Sequence, residues 1–91
     1  MGRDYTKIKA WQIVDELALL VYKSTKKFPK SEIWGLTSQM RRAAVSVPAN
    51  IVEGSARKNR NEYLQFLYIA ISSLAELNYY IRFTKELGYL D

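Results

Sequence analysis

The chain has 91 residues, 48% of them hydrophobic, and a formal net charge of +5; this suits one small globular domain over residues 1–91 and argues against general disorder. It has no cysteine and no histidine, which excludes disulfides and most zinc chemistry and leaves tight helix packing or oligomerisation to stabilise so small a core. Neither a transmembrane run nor a secretory leader is present, and the loose myristoylation match from Gly2 to Thr6 is read as chance, so the expectation is a cytoplasmic protein with a basic surface suited to an anionic partner.

Two prolines and four glycines cut the chain into three long segments. The first helix is expected at about residues 9–27. Trp11, Val14, Ala18, Val21, Thr25 and Phe28 recur at alternating steps of three and four, and Ile13, Leu17 and Leu20 form a second stripe beside them. Such a wide apolar arc fits a helix with two neighbours. Phe28-Pro29 ends it, because a residue before proline is pushed out of the α region.

The linker PKSEIWG leads to a second helix at about 36–54, with Ser31 or Thr37 as its expected cap. On a helical wheel, Leu36, Met40, Ala43, Ala44, Val47, Ile51 and Gly54 share one face, the core stripe. Val45, Ala49 and Val52 lie roughly opposite and are read as a subunit contact, the plain alternative being a mild exposed patch. Between them runs a polar stripe of Gln39, Arg42, Ser46, Asn50 and Glu53. Arg42 and Glu53 are about 16 Å apart along the axis and cannot pair within one helix. An arginine–glutamate pair between subunits would satisfy both; otherwise both are solvated. The expected oligomer interface is therefore Gln39, Arg42, Val45, Ser46, Ala49, Asn50, Val52 and Glu53. Pro48 removes one backbone donor, so a kink is expected, or a split into two shorter helices.

The third helix is expected at about 60–87. Asn59 followed by Glu62 is a capping-box pattern, and Gly88 suits the left-handed residue that closes a helix. Tyr63, Phe66, Ala70, Leu74 or Ser73, Leu77, Ile81 and Thr84 continue the seam. Tyr22, Tyr63 and one of Tyr79 and Tyr80 should lie partly in the core rather than stack on bases. With no period-two segment, the fold class is all-α: an antiparallel up-down bundle of three long helices, oligomeric, whose wide apolar arcs call for a fourth helix.

In that arrangement Lys23, Lys26, Lys27, Lys30, Arg82 and Lys85 collect at one end, with Arg41 and Arg42 nearer to it than to the other. Arg3, Lys7, Lys9, Arg57, Lys58 and Arg60 collect at the opposite end. The turn Arg57-Lys58-Asn59-Arg60 adjoins a helix N-terminus, which favours anions. The candidate nucleic-acid contacts are Arg57, Lys58, Arg60, Arg41, Lys26, Lys27 and Lys30, suited to backbone contacts with RNA or DNA. No enzyme is expected: Ser46 has no suitably spaced base, no glycine-rich phosphate loop occurs, and neither a cofactor nor a metal site is indicated. The alternative to nucleic-acid binding is a protein-interaction scaffold.

The stretch MRRAAVSVPANIVEGSARKNRNEYLQFLYIA closely resembles a bacterial family, the four-helix-bundle proteins named after intervening sequences in 23S ribosomal RNA genes. Gln39, Arg41, Arg42, Ala43, Ala44, Ser46, Pro48, Asn50, Ile51, Glu53 and Gly54 match its central motif. Glu62, Tyr63, Phe66, Leu67 and Ala70 match the motif that follows. Upstream, Trp11, Val21-Tyr22, Phe28-Pro29 and Gly35-Leu36-Thr37 also fit. The resemblance implies a homo-oligomer, a pentamer by the family pattern; the fourth helix that the family has after its G-Y-L is expected to be missing here, where only Asp91 follows Gly88-Tyr89-Leu90. Related accessory proteins of diversity-generating retroelements are basic five-fold bundles that bind nucleic acid, an analogy only. Where the family has R-G-S-L, this chain has Ile71-Ser72-Ser73-Leu74, which puts an apolar residue at a surface-type position.

Overall fold

The computed structural model describes residues 3–91, so Met1 and Gly2, the first residue of the N-terminal motif considered above, lie outside it. The described residues form three long helices and no strand: α1 (Lys9–Ser24), α2 (Leu36–Ser55) and α3 (Arg60–Glu86), with short 3-10 turns at Tyr5–Lys7, Thr25–Lys27 and Lys30–Glu32. Each of the three expected helices is present within a few residues of its expected bounds.

Their ends follow local chemistry. The Asn59 side chain accepts from the backbone N–H groups of Asn61 and Glu62, which fixes the start of α3. Gly88 has φ of 82°. Its N–H donates to the Lys85 carbonyl and the next N–H, from Tyr89, donates to the Thr84 carbonyl, the paired bonds of a Schellman closure. The cap expected for α2 is corrected. Neither Ser31 nor Thr37 caps it; Thr37 is buried, and the Glu32 carboxylate takes the Leu36 N–H at 3.1 Å. Pro48 is buried and α2 runs unbroken through it, so the alternative of two shorter helices is overturned.

Contacts near both ends fix the topology. Arg41, early in α2, reaches Thr25 after the end of α1. Gly54, late in α2, faces Phe66, early in α3. Successive helices are therefore antiparallel, in a rod 45 Å long and 19 Å across. The packing is not a closed triangle. α2 carries nearly all the close backbone approaches, and the backbones of α1 and α3 stay farther apart, although Ala18 and Val21 of α1 share one buried cluster with Leu77 of α3. Met40, Ala43, Ala44, Val47 and Ile51 of α2 are buried, in two clusters with Ala18, Val21 and Phe28 from the first hairpin and Ala70 and Leu77 from α3.

Because α1 and α3 stand apart, their facing sides stay open. Two adjacent cavities of about 470 and 250 Å³ form a groove between them, walled by Val14, Leu17, Ile71, Leu74 and Ile81, with Val47 and Ile51 beneath. Ile71 is 62% exposed. Ile13 and Leu20, the expected second stripe of α1, are 56% and 58% exposed, so most of that stripe is uncovered in the single chain. Covering an aliphatic side chain that is half exposed contributes about 1 kcal/mol.

Gly54 sets a close approach between α2 and α3. A Cβ added there would lie 2.8 Å from Phe66 Cβ and 3.1 Å from Tyr63 Cδ1. Alanine would gain about 0.5–1 kcal/mol in helix propensity, but overpacking costs about 1–3 kcal/mol. The expected outcome for Gly54→Ala is net destabilisation, read as a lower midpoint in thermal unfolding followed by circular dichroism. An unchanged or raised midpoint would show that α2 and α3 are not in tight contact there.

Candidate nucleic-acid interface

The two basic ends are built differently. At the end where α2 turns into α3, cations are tied into the fold. Arg57 pairs with Glu53 at 3.1 Å and lies 4.0 Å from Glu62. Its guanidinium sits 4.8 Å above the Phe66 ring, while its carbonyl accepts from Arg3 Nη1 at 2.8 Å. Arg3 in turn lies 4.0 Å over the Tyr63 ring. Arg57 therefore braces the turn, and of the three cations expected there to face a nucleic acid, Lys58 and Arg60 are exposed without an ion pair among the described residues.

The other end joins the last turn of α1, the start of α2 and the C-terminal residues. Tyr89 packs against Phe28 and donates its hydroxyl to Glu32 at 3.3 Å. Partial burial, then the neighbouring Glu32 carboxylate, raise the Tyr89 pKa, so the hydroxyl keeps the proton it donates. Partial burial, followed by a hydrogen bond to Glu76, raises Tyr80 likewise. Lys27 pairs with Asp91 at 3.0 Å across two exposed side chains, a contact worth little. Lys26 and Lys30 are exposed and make no ion pair among the described residues.

Arg41 and Arg42, adjacent in sequence, have separate tasks. Arg41 is half-buried. Its Nε donates to Thr25 Oγ1 at 2.8 Å, its Nη2 to the Tyr22 carbonyl at 3.3 Å, and its guanidinium lies 4.9 Å from the Tyr22 ring centre. The Thr25 hydroxyl itself donates to the Val21 carbonyl at 2.8 Å. Arg41 thus closes the C-terminal end of α1, where unpaired carbonyls and the helix dipole favour a cation. Arg42 is exposed, without an ion pair among the described residues.

The polar stripe of α2 also divides. Ser46 and Asn50 are half-buried and bond inward: Ser46 Oγ lies 2.8 Å from Ser73 Oγ of α3, and Asn50 Nδ2 donates to the Ser46 carbonyl at 2.7 Å. Glu53 has Arg57 as a partner in its own chain, so it does not wait on Arg42. Gln39 and Arg42 remain exposed. The opposite face does show the expected apolar back. Val45 and Ala49 are exposed and Val52 is half-buried. They line a shallow groove of about 420 Å³ together with Trp11, Leu19 and Tyr22. Tyr22, expected partly in the core, is 41% exposed on this side, because the core-facing direction of α1 is already filled by Ala18 and Val21.

One exposed side chain escaped the sequence reading. Trp34, in the linker, is 89% exposed. Its only sequence signal is a bulky apolar pair, Ile33-Trp34, in a segment otherwise suited to a turn.

No helix among the described residues is long and apolar enough to cross a membrane, and no acidic group among them is arranged to hold a metal ion. A family model described as 23S rRNA-intervening sequence protein matches residues 6–91. A comparison with curated proteins finds no match.

The two arginines give a direct contrast. Arg41→Ala should destabilise the fold by about 1–2 kcal/mol, since it removes charge-assisted bonds at a partly buried helix end. Arg42→Ala should stay within about 0.5 kcal/mol, as surface substitutions do. Urea unfolding of both variants checks this; equal effects would mean that Arg41 does not hold α1 and α2 together.

Proposed function

The chain belongs to the family of 23S rRNA-intervening sequence proteins, and from that premise we propose that it is a non-catalytic, cytoplasmic helical bundle that binds nucleic acid, as RNA or an RNA–protein complex, through its basic ends. The family description puts it in an rRNA context. The observation that carries the reading is the lysine run at the end of α1. Between Glu16 and Glu32 the chain has Lys23, Lys26, Lys27 and Lys30 and no acidic residue. α2 brings Arg42 to the same end, and at the opposite end Lys58 and Arg60 flank the N-terminus of α3. Lys27 is taken by Asp91, but the exposed cations that make no ion pair among the described residues, Lys26, Lys30, Arg42, Lys58 and Arg60, suit phosphate contacts, which release counterions and are insensitive to base sequence.

The bundle acts in this reading as a homo-oligomer, a pentamer by family likeness. The groove between α1 and α3 and the groove beside Val45, Ala49 and Val52 are the surfaces to be covered, the first by a further helix and the second by a neighbouring copy. Repetition around a symmetric assembly would turn each basic end into a ring of charge. The two apolar grooves also favour a second reading, a protein-interaction scaffold without a nucleic-acid role.

Binding of a random-sequence RNA over a salt series separates the two. Affinity should fall steeply as salt rises, and Lys26→Glu with Lys30→Glu should weaken binding at low salt by about tenfold or more and flatten the salt slope. Absence of binding at low salt, or affinity unchanged by those reversals, would leave the scaffold.

A further inference from the structure

We infer that Trp34 is a stacking platform for an unpaired nucleobase, held beside the cations that would take the adjoining phosphates. The inference rests on the nucleic-acid reading above and specifies what one of its basic ends recognises.

A tryptophan that is 89% exposed gives up most of the apolar burial that usually accounts for the residue. Trp34 makes no aromatic contact among the described residues, whereas Trp11, the other tryptophan, packs edge-on against Tyr5 with centroids 4.9 Å apart. The indole stands at the rim of a cavity of about 400 Å³ lined by Tyr22, Ile33, Thr37, Ser38, Arg41 and Arg42. A second cavity of about 390 Å³ shares Ile33, Thr37 and Arg41 with the first and adds Lys26 and Lys30. No carboxylate lines either one. The nearest in sequence, Glu32, is engaged by the Leu36 N–H and the Tyr89 hydroxyl.

An open aromatic face, hydroxyls at its edge and several cations around it form a surface for a planar, anionic ligand. An unpaired nucleotide is such a ligand: its base stacks on the indole and its phosphate meets Arg42 or Lys30. Duplex RNA does not offer this, because its bases are already stacked.

The direct test uses a Trp11→Phe background, so that Trp34 is the only indole. A single-stranded RNA 12-mer, its duplex, and an abasic 12-mer with the same sugar-phosphate backbone are each titrated against it. Binding is read by Trp34 fluorescence and, independently, by anisotropy of labelled strands. The expected result is quenching by the single strand, little by the duplex, and none by the abasic strand. In the otherwise unaltered chain Trp34→Ala should weaken single-strand binding about tenfold or more while leaving abasic affinity unchanged, and Trp34→Tyr should recover part of the loss. Since the side chain is exposed, the helical circular dichroism of these variants should match the parent. If the single strand binds but Trp34→Ala has no effect, or the abasic strand binds equally well, the platform is refuted and charge-driven binding stands. If polyglutamate quenches Trp34 as RNA does, the patch takes an acidic peptide instead. If no RNA binds either protein at low salt, the nucleic-acid reading fails, and the platform with it.

Discussion

The close approach of α2 to its neighbours is the constraint from which the rest of the structure follows. Gly54 leaves no room for a methyl group against Phe66, and Ala43 and Ala44 are both buried. Small side chains let α2 run close to α3 on one side while α1 packs on the other. A helix flanked in this way keeps its neighbours apart. The backbones of α1 and α3 consequently stay apart, and part of the apolar surface between them forms the walls of an open groove. The same placement exposes Val45 and Ala49 on the outer side of α2. The uncovered surfaces are thus a consequence of a central helix made of small residues.

Periodicity was enough to read the helices. The seam through Ala18, Val21, Thr25 and Phe28, the face from Met40 to Gly54, and the capping signals at Asn59 and Gly88 all state local rules of spacing, and all appear in the structure. The wheel of α2 was less informative where it assigned polar residues to partners. It gives an angle, but the neighbour at that angle is set by the tertiary fold. Ser46 and Asn50 lie on the stripe as expected, yet the stripe turns toward Ser73 of α3. Glu53 finds Arg57 one helical turn on, a pairing legible as an i, i+4 spacing, whereas the contact of Arg57 with Phe66 needs the path of the turn. The roles of Arg41 and Arg42 follow from where α1 ends, which no property of α2 encodes.

Two groups accordingly stand out among the cations. Arg3, Arg41 and Arg57 lie over aromatic rings and bond to backbone or carboxylate groups at helix ends; they hold the bundle together. Lys26, Lys30, Arg42, Lys58 and Arg60 are exposed and make no ion pair among the described residues. A binding role is proposed for the second group, because an exposed cation can meet a phosphate without breaking a contact that the fold uses. Trp34 stands among that group at one end, in a linker whose composition alone announces only a turn.

The account requires that the open apolar surfaces be covered in solution. Sedimentation equilibrium over a wide concentration range, at low and high salt, measures this most directly. The predicted result is a mass several times the 10.6 kDa of one chain that persists at high salt, since apolar contacts are not screened as charge pairs are. A single 10.6 kDa species at every concentration, folded and stable, would contradict it.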